Sequence, residues 1–337
     1  MAFAVNGVIL GSKSFHPRNL GCTHPISKSL KGLKLMKHYS ARDISVIWGI
    51  SIQLVRRYCQ DGKVPGAVLT DKGWMIPEGT PKPGSISVKE EKLTPLMKRI
   101  RYERQRNNHY GIYEYIQVNL AYSSCRMASN RLTLMQVENV YRTNKIATAF
   151  EPTKVDDIIE VVNHFICMCY IVDNVNMPLS VSFVKHLHHL LSYGTYADRS
   201  HKTGVGEFRT QTVRINQTPT TPPKQIDGAL NELIKAYEKK SAKLEQILDF
   251  HVRFERIRPF DDYNGRVGRV IMMKECLRHG ISPFIVDDKR RSSYTRGIAC
   301  WDDDPNVLKT AVLEAQERFQ NKMEVCRLMN YHRQPNN

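Results

Sequence analysis

Apolar positions in the last third of the chain recur at helical spacing. Leu244, Ile247, Leu248, Phe254 and Ile257 share one helical face. Pro259 must end that helix, because its ring disfavours the α conformation for the residue before it. A loop follows, and Asn264 is the predicted N-cap of a second helix that runs through Val267, Val270 and Ile271 to a stop near Gly280. Near the front, Ile44, Ile47, Ile52 and Val55 form an apolar seam over two short helices. Ser40 and Ser51 are N-cap candidates there, with Gly49 at the turn. Gln53, Arg56 and Arg57 fall on the outward side. Gly62-Lys63-Val64-Pro65-Gly66 ends the second helix. Ala67-Val68-Leu69 and Trp74-Met75-Ile76 then read as two strands around an Asp71-Lys72-Gly73 turn.

The loop between the two later helices carries the chemistry. Backbone N–H groups left free at a helix N-terminus attract phosphate oxygens, and Arg266 and Arg269, at i and i+3, add guanidinium groups on one face. Asp262, just before the turn, is placed to offer a hard oxygen ligand to the magnesium that accompanies a triphosphate. Arg258 precedes Pro259. It stays protonated, with a pKa above ~12, so it holds charge and accepts no proton.

At these residues the chain resembles the Fic (Fido) family, whose motif reads His-Pro-Phe-x-Asp/Glu-Gly-Asn-Gly-Arg-x-x-Arg. Pro259, Phe260, Asp262, Asn264, Gly265, Arg266 and Arg269 match it, while Arg258 stands at the catalytic histidine position and Tyr263 at the first glycine. The resemblance runs roughly from Thr94 to Met323 and implies a mainly α domain with a short β-hairpin flap. It implies a reaction that moves AMP from ATP, with Mg2+, onto a protein hydroxyl. It also implies nucleotide contacts from Asn264, Gly265, Arg266, Arg269 and Tyr294, with magnesium at Asp262. Gly206-Glu207-Phe208-Arg209 and Val213-Arg214-Ile215 look like the flap, which holds a protein target by strand addition. The segments 155–165 and 187–191 look like the helices beneath it. In many relatives an inhibitory helix, Ser/Thr-x-x-x-Glu-Gly/Asn, pairs its glutamate with the last motif arginine. Here Ser124 and Ala128 occupy the two key positions, so the glutamate is absent and Arg269 is expected to stand free. Without the histidine the general base is missing, a loss that typically costs ~10²–10⁴ in rate while leaving nucleotide binding possible. His251, the histidine nearest in sequence, lies about two helical turns before Arg258, or ~10 Å, and reads as helix packing.

The front of the chain resembles the MerR and excisionase type of winged helix-turn-helix, including the Trp-x-Ile-Pro ending of many short bacterial modules. That resemblance implies DNA binding, with Arg56 and Arg57 in the major groove or on phosphates and Gln53 on a base. Charge points the same way. Residues 1–37 hold six Lys/Arg and no acid, and residues 38–106 hold thirteen against seven, so twelve of the 17 net positive charges lie in the first third. Such a front suits a polyanion, and its binding should weaken steeply with salt.

The expected division is a disordered extension over 1–35, a winged helix-turn-helix over 36–83 and a Fic-type domain over 84–330, with Pro77 to Pro83 as linker. No apolar run is long enough to span a bilayer, and eight scattered cysteines without a Cys-x-x-Cys suit reduced thiols in a cytoplasmic protein. His186 and His189 share a helix face, but spacing supplies no third metal ligand, so packing is the preferred reading. Three functions remain open: an AMP transferase with another proton acceptor, a nucleotide-binding pseudoenzyme joined to a DNA reader, and a DNA-binding regulator whose Fic portion forms a homodimer or docks a protein.

Overall fold

The computed structural model describes residues 38–48, 50–71, 73–78, 80, 82–83, 93–146, 153–200, 204–215, 218–239 and 242–331. The expected extension over 1–35, the Gly49 turn and part of the linker lie outside them. The chain divides into two compact units, Met1–Lys92 and Leu93–Asn337.

In the first unit, β1 (His38–Ser40), α1 (Ala41–Trp48), α2 (Ile52–Gln60), β2 (Val68–Thr70) and β3 (Gly73–Pro77) enclose a small core. The helix starts follow from local chemistry. Ser40 Oγ accepts from Asp43 N and donates to the Asp43 carboxylate, while Ser51 Oγ accepts from Leu54 N at 3.3 Å. Ile44, Val55, Cys59 and Ile76 are buried around Trp48. Ile47 departs from the expected seam, for it is 61 % exposed and packs on nothing in that core. The two foreseen strands pair antiparallel, and β1 adds a third on the far side of β3, in the order β1-β3-β2.

The second unit is mainly helical. Its elements are α3 (Pro95–Gln105), α4 (Ile112–Arg126), α5 (Leu134–Thr143), α6 (Val155–Asp173), α7 (Val181–Ser192), α8 (Tyr196–Ser200), the hairpin β4 (Arg214–Ile215) and β5 (Thr218–Pro219), α9 (Ile226–Glu238), α10 (Leu244–Ile257), α11 (Asn264–His279), α12 (Arg291–Ala299) and α13 (Pro305–Tyr331). At the centre lies α11, buried nearly all round and packed by α10, α7, α4, α3 and α6. Its polar residues survive there only in pairs. Lys274 Nζ meets Glu275 Oε1 at 2.5 Å, and Tyr237, Arg278 and His279 satisfy the other Glu275 oxygen. As expected, α10 stops before Pro259 and α11 ends at Gly280, whose φ of 68° is the left-handed closure that glycine adopts freely.

The start of α11 corrects one expectation. Tyr263, with φ 63°, is the N-cap and makes no side-chain capping bond. Asn264 is the first helical residue and turns backwards instead: its Oδ1 accepts from Phe260 N at 3.0 Å and its Nδ2 donates to Phe260 O at 2.8 Å. A cap would spend this side chain on the helix amides. Here it closes the loop and leaves them unbonded.

Candidate anion-binding site

The loop from Arg258 to Tyr263 is held at both ends. Arg258 closes α10 in the left-handed region, φ 47° and ψ 67°, with its N–H on Phe254 O at 3.0 Å. Arg209 fastens it from the hairpin side. Its guanidinium, 1 % exposed, donates to the carbonyls of Arg258 (2.7 Å), Gln211 (2.6 Å), Thr221 (2.5 Å) and Ile257 (3.3 Å) and to Thr220 Oγ1 (2.9 Å), and its N–H donates to Pro259 O. Below, the His188 ring stacks on Phe260 with centroids 3.9 Å apart, and His188 Nδ1 accepts from Gly206 N. Burial holds His188 neutral, with its pKa lowered to about 3.

Among the described residues, the N–H groups of Asn264, Gly265 and Arg266 have no acceptor, which gives the helix start the polarity of an anion site. Gly265 keeps the approach open, since a Cβ there would sit 2.9 Å from Arg269 NH1 and 3.3 Å from Glu255 Oε1.

The two motif arginines are less free than the sequence suggests. Arg266 is buried: NH1 donates to Glu160 Oε1 at 2.6 Å, NH2 to Asp262 Oδ2 at 3.1 Å, and its guanidinium lies 3.4 Å from the centre of the Tyr263 ring. Burial alone would loosen its proton, but Glu160 and Asp262 outweigh that and raise its pKa. The Tyr263 hydroxyl donates to the same Glu160 oxygen at 3.1 Å. Arg269, expected to stand unpartnered, is held by Ser124 instead, Nε on Oγ and NH2 on the carbonyl, each at 3.0 Å. The run expected to form an inhibitory helix is helical only to Arg126. Ala128 lies exposed in the turn beyond, so no carboxylate reaches Arg269 from there.

Both oxygens of Asp262, the expected magnesium ligand, already have partners. One oxygen of this carboxylate pairs with Arg266 and the other accepts from Tyr263 N at 2.6 Å. Among the described residues no group of three His, Cys, Asp or Glu could hold a metal. Tyr294 is buried, its hydroxyl 2.6 Å from His251 Nε2. His251 is itself buried, and its pKa is lowered to about 3 by that burial, assisted by Arg269. The cavity beside the loop, lined by His188, Glu207, Asp261, Asp262 and Tyr263, has a volume of about 30 Å³, room for a water; a larger cleft of about 340 Å³ lies away from the motif, between α12 and α13.

On the hairpin, Val213 is half-buried and its carbonyl accepts from Thr220 N and Oγ1. Arg214 is exposed, and Arg214 and Ile215 pair with Pro219 and Thr218. In the first unit Gln53, Arg56 and Arg57 all lie on the exposed face of α2. Sequence reasoning overlooked Glu160 and Glu255. Glu255 was the findable one, because it stands three residues before Arg258 in the last turn of α10. Burial raises its pKa, against the pull of Arg269 and Arg258.

A model of the Fic/DOC family matches residues 178–276, from just before α7 to near the end of α11. The fold is similar to that of a Fic-domain-containing signalling protein from Bacteroides thetaiotaomicron, with TM-score 0.54 and 16 % identity, covering 68 % of this chain and 94 % of that one. It is similar also to Fic-1 (residues 134–508) from C. elegans, with TM-score 0.53 and 15 % identity over 69 % and 72 % of the two chains. A comparison with curated proteins gives no match. The hairpin, the loop and most of the buried α11 fall inside the matched segment, so residues 178–276 match the Fic/DOC family within a unit whose fold is similar to that of Fic-domain structures.

Proposed function

We propose that the Fic-type unit binds the phosphates of a nucleotide, ATP by family analogy, at the first turn of α11, and that its transferase activity is weak or lost. The family reaction is AMP transfer. The observation that supports binding is the set of unbonded amides at Asn264, Gly265 and Arg266, with Arg269 NH1 beside Gly265. Against transfer stands Arg258, which has no accepting form near neutral pH. Hairpin β4–β5 offers a protein target an edge for strand addition. The Mg2+ implied by the family would sit at Asp262, which here also pairs with Arg266, and no step is assigned to it.

The test uses ATP labelled in its α-phosphate and a cell lysate. The natural chain is expected to leave no label on protein after denaturation, and Arg258→His to restore it. Label transferred by the natural chain would refute the loss of activity. Direct titration with ATP, which Arg269→Ala should weaken, separates nucleotide binding from a purely docking role.

A second reading concerns the first unit, where Gln53, Arg56 and Arg57 share the open face of α2 in a basic front segment. We propose that this face contacts DNA. Retention of DNA from upstream of its own gene should be strong at low salt and fall steeply at higher salt. No retention at low salt removes this reading.

A further inference from the structure

Where α3 turns into α4, two tyrosine rings stand in solvent, each under a guanidinium. Tyr102, in the last turn of α3, is 51 % exposed, and Arg106 lies over its ring with Cζ 4.7 Å from the centroid. Tyr110, in the connecting loop, is 45 % exposed beneath Arg142 of α5, whose Cζ is 4.2 Å from the ring centre. The loop folds back on the helix it leaves, since Asn108 N donates to Glu103 O at 2.9 Å, so both rings stand at the same end of the α3–α4 pair.

The fold imposes this exposure. Asn107 and Tyr110 are both left-handed, with φ 48° and 67°, a conformation that asparagine tolerates and tyrosine does not favour. Two buried carboxylates hold the turn. Glu103 accepts from Tyr113 N at 2.8 Å and lies against Gly111, where a Cβ would stand 2.3 Å from its Oε2. Glu114 accepts from Tyr110 N at 3.3 Å and from Arg142 Nε at 2.7 Å. Such strain persists only where the surroundings over-determine it, and burial of the Tyr110 ring does not offset it here. The surroundings are cationic. From Lys98 to Tyr110 there are five Lys/Arg and one acid, the buried Glu103. Arg101 and Arg104 close the end of α6 through the carbonyls of Val172 and Cys169. Arg106, and Lys145 just beyond α5, meet no carboxylate among the described residues.

We propose that this end of the helical unit binds single-stranded nucleic acid, with bases stacked on Tyr102 and Tyr110 and phosphates on Arg106 and Lys145. Positive charge alone suits any polyanion. The rings choose among them: a duplex hides its base faces and an acidic peptide has none, whereas an unpaired base of any kind offers a face to an exposed ring. The guanidinium above each ring adds cation–π attraction to the platform. The surface uses no residue of the α11 loop or of α2, so it stands apart from the nucleotide and duplex-DNA readings above.

Fluorescence anisotropy of the full chain with labelled oligo(dT) and oligo(U) at low salt tests it, with polyglutamate as competitor and thermal melting in parallel. The chain should bind an oligonucleotide, and a preference between the two tells whether the surface takes DNA or RNA. Joint Tyr102→Ala and Tyr110→Ala should weaken binding about tenfold or more, while joint replacement by Phe, which keeps both rings, should hold it within about twofold. If the double alanine variant melts early, Tyr102→Ala alone, at an exposed helix position, should still weaken binding about fivefold. Joint Arg56→Ala and Arg57→Ala should leave oligonucleotide affinity unchanged. Four results would each overturn the proposal: a natural chain that binds neither oligonucleotide, folded alanine variants that bind as tightly as it does, affinity lost with Arg56 and Arg57, or polyglutamate competing as well as unlabelled oligonucleotide.

Discussion

Tyr263 shows how one side chain can reorganise a motif. Its φ of 63° is a left-handed conformation that costs a non-glycine residue on the order of 1 kcal/mol, and the ring is held by the stack beneath Arg266 and the bond to Glu160. The triad is therefore a unit, and Glu160 is its weakest point because it serves both neighbours. Glu160→Ala should destabilise the chain by about 3 kcal/mol, since it leaves a buried guanidinium with only Asp262, itself largely exposed, as counter-ion. Urea denaturation measures this; a change below about 1 kcal/mol would show that the pair is not structural. Arg258, Arg266 and Arg269 were legible in the sequence because motif spacing puts them at the two ends of one turn. Glu160 was not, since nothing local marks which face of α6 will meet a residue so distant in the chain.

Between elements, two glycines set how closely helices approach. A Cβ on Gly268 would stand 2.5 Å from His251 Nδ1 and 2.7 Å from its neighbouring ring carbon, where α11 crosses α10. On Gly297 it would meet the backbone N and Cα of Leu308, both at 2.7 Å, where α12 meets α13. A ring can shift by rotation but a backbone cannot. Gly297→Ala should therefore cost more than Gly268→Ala, by about 1 kcal/mol or more within the usual range for overpacking, and paired thermal melts decide the order. Both helices of the α10–α11 pair could be read from periodicity, as could the stops at Pro259 and Gly280. The cap of α11 could not: asparagine suits an N-cap and equally a turn that bonds back to Phe260, and the choice depends on where α10 delivers the chain.

For the molecule as a whole, the buried histidines govern acid stability. His164, His188 and His251 each have a pKa lowered to about 3, chiefly by burial, while an unfolded histidine titrates near 6.5. The unfolded chain thus binds more protons between these values, so stability is full above about pH 6.5 and falls as pH drops towards 3. Each histidine contributes a slope of about 1.4 kcal/mol per pH unit there. Glu255, raised by burial, works in the opposite sense and offsets part of the loss. Melting temperatures at pH 7.5, 6 and 5 should decline in that order; a flat profile would mean these rings are accessible. Arg209 carries a separate consequence. One buried guanidinium serves acceptors from the hairpin and from the α10 terminus at once, so neither segment tolerates insertion or shortening by itself. Lineages that retain this arginine should change length in the two places together, and where it is lost the lengths should drift independently.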